Sequence, residues 1–198
     1  MLTLTRKPGE RIVIGNDIDI TIVDVTRGKV RIGITAPRGM PVHRGEVRDR
    51  IVQQNLAAAA AAAPQLHKEA IKPISIPNGL FGMSAHKRFA LFEVEGTPAL
   101  QQLVSLDDEL VQVCVIDAQM VLPDFPLEEA RQAAGFPENT DLAIAAVVTI
   151  PSDGRTPTVA LAAPIVIDVN TGTGVQVILD NPNLPLVDEL RIVDASEG

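Results

Sequence analysis

The chain of 198 residues contains no tryptophan and no tyrosine, and aromatic residues make up only 3% of it. Its core must therefore be built from Val, Ile, Leu and Ala, and hydrophobic residues amount to 46% of the chain. Because β-branched side chains pack well on a pleated surface, this composition favours strands over a leucine-rich helical bundle. We therefore predict a mainly β protein.

The chain has a single cysteine, which excludes an intrachain disulfide and a zinc site made of several cysteines. Cys114 lies in the apolar run VQVCVI, which indicates a buried structural thiol. The three histidines are not spaced as metal ligands on one helix, and no HExxH motif is present. We expect neither a metal nor a cofactor.

No run of about 18 apolar residues occurs, so we predict no membrane span. The N-terminus has no signal segment, because Arg6 and Lys7 come too early for an apolar region to precede them. We therefore expect a cytoplasmic protein that does not bind a membrane.

Positive charge is scarce in most of the chain. The formal net charge is −8, but residues 1–56 carry +4 and residues 57–198 carry −12. Such an asymmetry indicates two parts with different partners, and a basic part is typical of nucleic-acid binding.

The first 45 residues are typical of short strands separated by turns. Ile18, Ile20 and Ile22 alternate with other residues and would share one face of a strand. The five segments expected to form strands are LTLT, RIVIG, IDITIVDV, VRIGIT and PVHR. Five short strands cannot close a core alone, so we expect this part to oligomerise.

A run of seven alanines, Ala57 to Ala63, ends at Pro64. It is either a low-complexity spacer or the end of a helix. No helix breaker separates Gly45 from this proline, and Val47 and Ile51 have the i, i+4 spacing of one helix face. We therefore predict that the alanines extend a helix. Pro64 stops that helix, because the residue before a proline avoids the helical conformation.

Beyond residue 74 the chain is again mostly strand-like. The segments expected to form strands are RFALFEV, LVQVCVID, DLAIAAVVTI, TVALAAPIVID and GVQVILD. PALQQLVSL and PLEEARQAAG are predicted to form short helices, and Gly135 should stop the second. Because strands outnumber helices, an antiparallel barrel-like or sandwich domain fits best.

Two segments raise the question of an enzyme. The TGTG segment at 171–174 could be a phosphate loop, but it lacks the Lys and Ser/Thr of a P-loop, so a hairpin turn is the better interpretation. Asp107, Asp108 and Glu109 are either half of a carboxylate pair or a solvated loop. No Ser, His and Asp arrangement stands out. We expect no catalytic site.

Three segments occur at a spacing that is specific to one family: MLTLTRKPGE, VRIGITAP and VHRGEVRDRI. Through them, residues 1–51 resemble the carbon storage regulators CsrA and RsmA. The resemblance implies an interleaved homodimer of five-stranded modules, each with a C-terminal helix. It also implies binding to single-stranded GGA in hairpin loops of mRNA, which controls translation.

The same resemblance implies which residues bind RNA, with each site shared between two chains. One chain contributes Leu4, Thr5, Arg6 and Lys7, and the other contributes Ala36, Pro37, Arg38, Val42, His43 and Arg44. The chemistry fits these residue types, because RNA loops present splayed bases and phosphates, and arginine offers a planar set of donors to both.

The later part of the chain contains IPNGLFGMSAHKRFAL, VVTIPSDGRTPTVALAAPIVID and GVQVIL. Residues 74–190 thereby resemble FliW, a flagellar assembly factor that antagonises CsrA. The resemblance implies that this domain binds flagellin and docks on the C-terminal helix of a CsrA module. The implied docking residues are Glu46, Val47, Arg50, Ile51 and Asn55.

The sequence thus predicts a CsrA-like module at 1–56, an alanine-rich helical extension and linker at 57–73, and a FliW-like domain at 74–198. The hypothesis is a homodimeric regulator that binds mRNA and flagellin and carries its own antagonist, which docks within one chain or across the dimer. Two alternatives stay open. One is a flagellin-binding scaffold with a degenerate RNA-binding module, and the other is an enzyme built on the acidic β domain.

Overall fold

The computed structural model describes residues 1–192, apart from 16, 38, 39, 41, 62–72, 95 and 98. The prediction for Arg38 and most of the predicted linker therefore lie outside the described residues. The chain divides into two compact units, Met1–Arg44 and Gly45–Gly198.

In the first unit the described residues form three antiparallel strands: β1 (Arg11–Ile14), β2 (Ile18–Thr26) and β3 (Lys29–Thr35). Arg27 and Gly28 join β2 to β3, and both have positive φ angles, of 38° and 83°. A two-residue turn of this kind matches the twist of the strands on either side. The sequence predicts short strands separated by turns in this part of the chain, and this turn confirms the prediction.

The sequence also predicts strands at LTLT and PVHR, but residues 1–7 and 42–44 form no strand in this chain. The order of the sheet is β1-β2-β3, so β1 and β3 have no further strand from the described residues of the same chain beside them. An outer segment becomes a strand only when another strand lies beside it to share hydrogen bonds. One chain therefore forms three of the five expected strands.

Seven strands close a barrel in the second unit. They are β4 (Pro73–Ser75), β5 (Arg88–Glu93), β6 (Leu100–Ser105), β7 (Gln112–Asp117), β8 (Leu142–Thr149), β9 (Thr158–Asp168) and β10 (Thr173–Gln176). Strands β4 to β9 pair in order and antiparallel, and β10 pairs with both β9 and β4, which closes the ring. A short strand, β11 (Asp188–Glu189), lies along the start of β9. The prediction of an antiparallel barrel-like domain is confirmed.

The described residues of this second unit form three helices: α1 (Gly45–Ala61), α2 (Ala118–Val121) and α3 (Leu127–Ala134). The alanine run is therefore helical at least as far as Ala61. Gly135 ends α3 with a φ of 76°, and its N–H group bonds to the carbonyls of Arg131 and Gln132. This is the glycine stop that the sequence predicts.

The prediction of a helix at PALQQLVSL is wrong, because residues 100–105 form β6. Leu103 and Val104 are adjacent in sequence and both buried, so this strand is covered on its two faces. A strand buried on both faces shows no alternation of apolar and polar residues. The apolar residues at 100, 103 and 104 then imitate the spacing of a helix face.

Apolar side chains on opposite faces of the barrel strands enter two separate clusters. On β7, Cys114 and Ile116 belong to one cluster, and Val113 and Val115 belong to the other. Burial raises the pKa of the Cys114 thiol to about 11, which confirms the prediction of a buried structural thiol. Helix α1 packs against the cluster that contains Val113 and Val115.

Candidate functional site

Helix α1 lies against strands β7, β8 and β9 of the barrel. It buries a stripe formed by Ile51, Asn55 and Ala58, which are only 0%, 0% and 2% exposed. The spacing of four and three residues places these side chains on one helix face. Ala58 joins the same apolar cluster as Ile74 and Phe89, so the alanine run makes part of the core of this unit.

Asn55 is the polar centre of this contact. Its side-chain Nδ2 donates to the carbonyl of Phe81 at 2.9 Å and to Oε1 of Gln176 at 2.8 Å. Nε2 of Gln176 donates back to Oδ1 of Asn55 at 3.4 Å and to the carbonyl of Ala163 at 3.2 Å. Because each polar atom of the two buried amides has a partner, the pair avoids the cost of a buried unpaired group.

Two further contacts seat the helix. Nε2 of Gln54 donates to the carbonyl of Leu186 at 2.8 Å. Gly82 has a φ of 85°, and a Cβ atom there would lie 3.0 Å from Cγ1 of Val52 and 3.4 Å from the Val52 carbonyl oxygen. The bare glycine backbone therefore lets the loop before β5 approach α1 closely.

The docking residues that the sequence predicts differ in their exposure to solvent. Ile51 and Asn55 are buried, Val47 is half-buried, and Glu46 and Arg50 are exposed. Sequence reasoning missed Val52, Gln54 and Ala58 on the helix. Ala58 could have been found, because it continues the spacing from Ile51 and Asn55.

The residues implied in RNA binding all fall in the first unit. Ala36 and His43 are half-buried, whereas the other described ones are exposed: Leu4, Thr5, Arg6, Lys7, Pro37, Val42 and Arg44. The 4–7 segment precedes β1, and the 36–44 segment follows β3. The two segments are therefore connected in the chain to the two outer strands of the sheet, β1 and β3.

No described residue of Met1–Arg44 is buried. One face of the sheet carries Val30, Ile32 and Ile34 on β3, and these remain 53%, 52% and 45% exposed. Ile20 and Ile22 lie directly across from Ile34 and Ile32 on β2. Cross-strand partners share a face, so this unit presents an apolar surface with no cover from its own described residues.

The acidic loop at 107–109 has a structural explanation. Asp107 accepts hydrogen bonds from the side chain of Arg88 and from the backbone N–H groups of Lys87 and Arg88. These bonds lower the pKa of Asp107 to about 2. Ser105 accepts bonds from the Asp107 and Asp108 N–H groups, so the loop is held as a turn between β6 and β7.

The described residues give no other indication of a chemical centre. The TGTG segment belongs to the turn between β9 and β10, where Thr173 lies opposite Asp168, so the hairpin interpretation is confirmed. Among the described residues, no group of three or more His, Cys, Asp or Glu could hold a metal ion. No helix in this part of the chain is long and apolar enough to cross a membrane.

Two family models match the chain, one in its first part and one in its second. The model of CsrA, described as a global regulator protein family, matches residues 1–53, and the FliW protein model matches residues 56–190. The chain therefore belongs to both the CsrA and the FliW families and joins them in one polypeptide.

Two CsrA proteins resemble the first part of this chain. It is 49% identical over 79 residues to the translational regulator CsrA of Pseudarthrobacter chlorophenolicus, a stretch that covers 40% of this chain and 100% of that protein. It is 55% identical over 64 residues to the translational regulator CsrA of Rhodopirellula baltica, covering 32% of this chain and 90% of the relative.

A solved structure resembles the barrel. The crystal structure of the flagellar assembly factor FliW superposes with a TM-score of 0.52 at 23% identity, and the match covers 64% of this chain and 89% of that chain. This likeness shows a shared fold.

Proposed function

We propose that this protein is a dimeric post-transcriptional regulator whose barrel antagonises its own RNA-binding module. The module binds GGA motifs in hairpin loops of mRNA, in the cytoplasm, and controls the translation of flagellar and carbon-storage genes. Flagellin competes with the module for the barrel. The activity is binding, without a catalytic step.

The burial of Asn55 in the barrel of its own chain carries this proposal. Helix α1 begins at Gly45, directly after Arg44, the last residue implied in RNA binding. Because the helix follows the 36–44 segment directly in the chain, we infer that docking of the helix on the barrel limits the access of RNA to the segment. Residues 57–198 have a formal charge of −12, and a body of that charge close to the segment would repel RNA phosphates.

Exposed basic side chains support the RNA-binding part of the proposal. Arg6, Lys7 and Arg44 are all exposed. Phosphate contacts supply much of the affinity in nucleic-acid binding, and splayed bases supply the specificity. The two implied RNA segments are connected to opposite outer strands of one sheet, and we infer that pairing with a second copy brings one segment of each chain together.

The bare apolar face of the first unit supports dimerisation. Val30, Ile32 and Ile34 are about half exposed, and a surface of this kind is typical of a protein contact. A second copy would cover this face and provide neighbours for the two segments, LTLT and PVHR, that form no strand in one chain.

The test is RNA binding by the full chain, measured by electrophoretic mobility shift. We expect a GGA-loop hairpin to bind and a CCA-loop hairpin to bind far more weakly. Arg44→Ala should cost on the order of 1–3 kcal/mol of RNA-binding free energy, because it removes a charge-assisted contact. Lys29→Ala is the matched control, because it removes one positive charge from the start of β3, beside the β2–β3 turn, and should leave binding nearly unchanged.

Two results would count against the proposal. Equal binding of GGA and CCA hairpins would contradict the proposed sequence specificity. An Arg44→Ala chain that binds RNA like the parent would contradict the proposed binding site. A chain that binds flagellin but binds no RNA, even when flagellin is present, would favour the scaffold with a degenerate RNA-binding module instead.

A further inference from the structure

The barrel side of the α1 contact is built around one glutamine. Gln176 is the last residue of β10 and is 7% exposed. It lies on the same face of β10 as Gly174, whose open side meets Ile74 and Ile76 of the cluster under α1. An amide in this apolar setting needs partners for all its polar atoms.

The hydrogen bonds fix which way this amide points. Oε1 of Gln176 accepts from Asn55 Nδ2 at 2.8 Å and from the Phe81 N–H group at 2.9 Å. If the Gln176 amide were turned the other way, its NH₂ group would face two other donors, Asn55 Nδ2 and the Phe81 N–H group. Oε1 therefore accepts from both the helix and the Phe81 N–H group, and the amide nitrogen donates to the carbonyl of Ala163 and to Oδ1 of Asn55.

This arrangement selects one residue type at position 55. Aspartate there would place a carboxylate against Oε1 of Gln176 and the carbonyl of Phe81, with no hydrogen to share. Leucine would leave Gln176 and Phe81 without partners on the helix. Burying a polar group without a partner is costly, so both changes would weaken the contact.

We propose that Gln176 is the residue by which the barrel recognises α1, through its hydrogen bonds with the amide of Asn55, and that Gly82 is a positioning residue that leaves room for the Val52 side chain of the helix. The proposal rests on the docking of α1 within its own chain. It assigns the specificity of that docking to the barrel.

Hydrogen exchange of the full chain, followed by mass spectrometry, tests this assignment. In the parent, we expect the amides of α1 to be protected, because a helix of this length is marginal unless it is packed. Gln176→Ala should raise α1 exchange on the order of ten- to a hundredfold, because Asn55 then loses its buried partner. The amides of β8 should keep their protection.

Gln102→Ala is the matched control. Gln102 is a second buried glutamine, 4% exposed, and its Nε2 donates to Oε1 of Gln112 at 3.1 Å. It pairs across the sheet with Cys114 and so lies on the strand face opposite Val113 and Val115. The loss of this glutamine should leave α1 exchange unchanged.

Gln176→Ala could also open the barrel, in which case the β8 amides would lose their protection as well. A double variant that swaps the two amide residues then tests the proposal. Asn55→Gln alone should raise α1 exchange, because the longer side chain does not fit. Adding Gln176→Asn should restore protection, because the pair again spans the same distance.

Each outcome points to one conclusion. Unchanged α1 protection in Gln176→Ala, or no restoration by the paired exchange, would overturn the role of Gln176. A parent chain whose α1 amides exchange as fast as those of a free helix would instead overturn the docking itself, and with it the proposed antagonism.

Discussion

A single residue, Asn55, connects the sequence to the function, but only half of its environment can be predicted. The resemblance to CsrA and FliW implies that Asn55 lies on a docking face. Its partner amide, Gln176, lies 121 positions away in the chain. No periodicity links two such residues, so only the folded structure brings them together.

The adjacent alanines at 57 and 58 give a residue-scale prediction. Ala58 is buried against the barrel, whereas Ala57 is exposed on the same helix. Ala58→Gln should lower the free energy of unfolding of the second unit by about 1–3 kcal/mol, because the larger polar side chain overfills a packed site. Urea unfolding followed by far-ultraviolet circular dichroism measures the change.

Ala57→Gln is the control for this prediction, because it makes the same change in helix propensity one residue away. It should change the free energy of unfolding by only a few tenths of a kcal/mol. Equal effects of the two substitutions would mean that the alanine run does not pack on the barrel in solution.

At the scale of elements, the sequence predicts most strands and fails where burial hides the pattern. Strands β5, β7, β8, β9 and β10 fall in segments whose sequence is typical of strands. The segment of β6 instead predicts a helix, because Gln102 is buried with Gln112 rather than exposed, which breaks the alternation. The sequence alone does not show that two polar residues on neighbouring strands will be buried as a hydrogen-bonded pair.

The apolar face of β3 gives the element-scale prediction. Ile34 and Val187 are almost equally exposed, at 45% and 44%, but Ile34 lies on the bare face of the first unit. Light scattering of the full chain at micromolar concentration should show a dimer. Ile34→Glu should shift it to a monomer, because dimerisation would bury an unpaired charge.

Val187→Glu introduces the same charge in the barrel unit and should leave the dimer intact. A parent chain that is a folded monomer at this concentration would contradict the proposed dimer. So would an Ile34→Glu chain that stays as dimeric as the Val187→Glu chain.

At the scale of the whole molecule, two families meet within one chain, and their junction is the helix that begins after Arg44. The charge asymmetry of the sequence, +4 in residues 1–56 and −12 in the rest, indicates this organisation by itself. The sequence does not determine to which unit α1 belongs. Its apolar stripe is short and its centre is an asparagine, so only contacts with the barrel assign it to the second unit.

In our proposal the barrel is the antagonist and the RNA-binding module is its target, and joining the two in one chain changes the energetics of their contact. A short tether gives an effective concentration on the order of millimolar, so even a modest intrinsic affinity keeps α1 docked for most of the time. Release then requires a competitor that binds the barrel, and flagellin is the competitor we propose.

The affinity of the full chain for a GGA-loop hairpin, with and without Asn55→Asp, tests the central proposal most directly. Asn55→Asp should strengthen RNA binding by about tenfold or more, because docking would bury an unpaired charge. Gln53→Glu, which adds the same charge at an exposed helix position, should not. Added flagellin should bring the parent close to the affinity of the Asn55→Asp chain. Equal RNA affinities for the parent and the Asn55→Asp chain, with no effect of flagellin, would contradict the account.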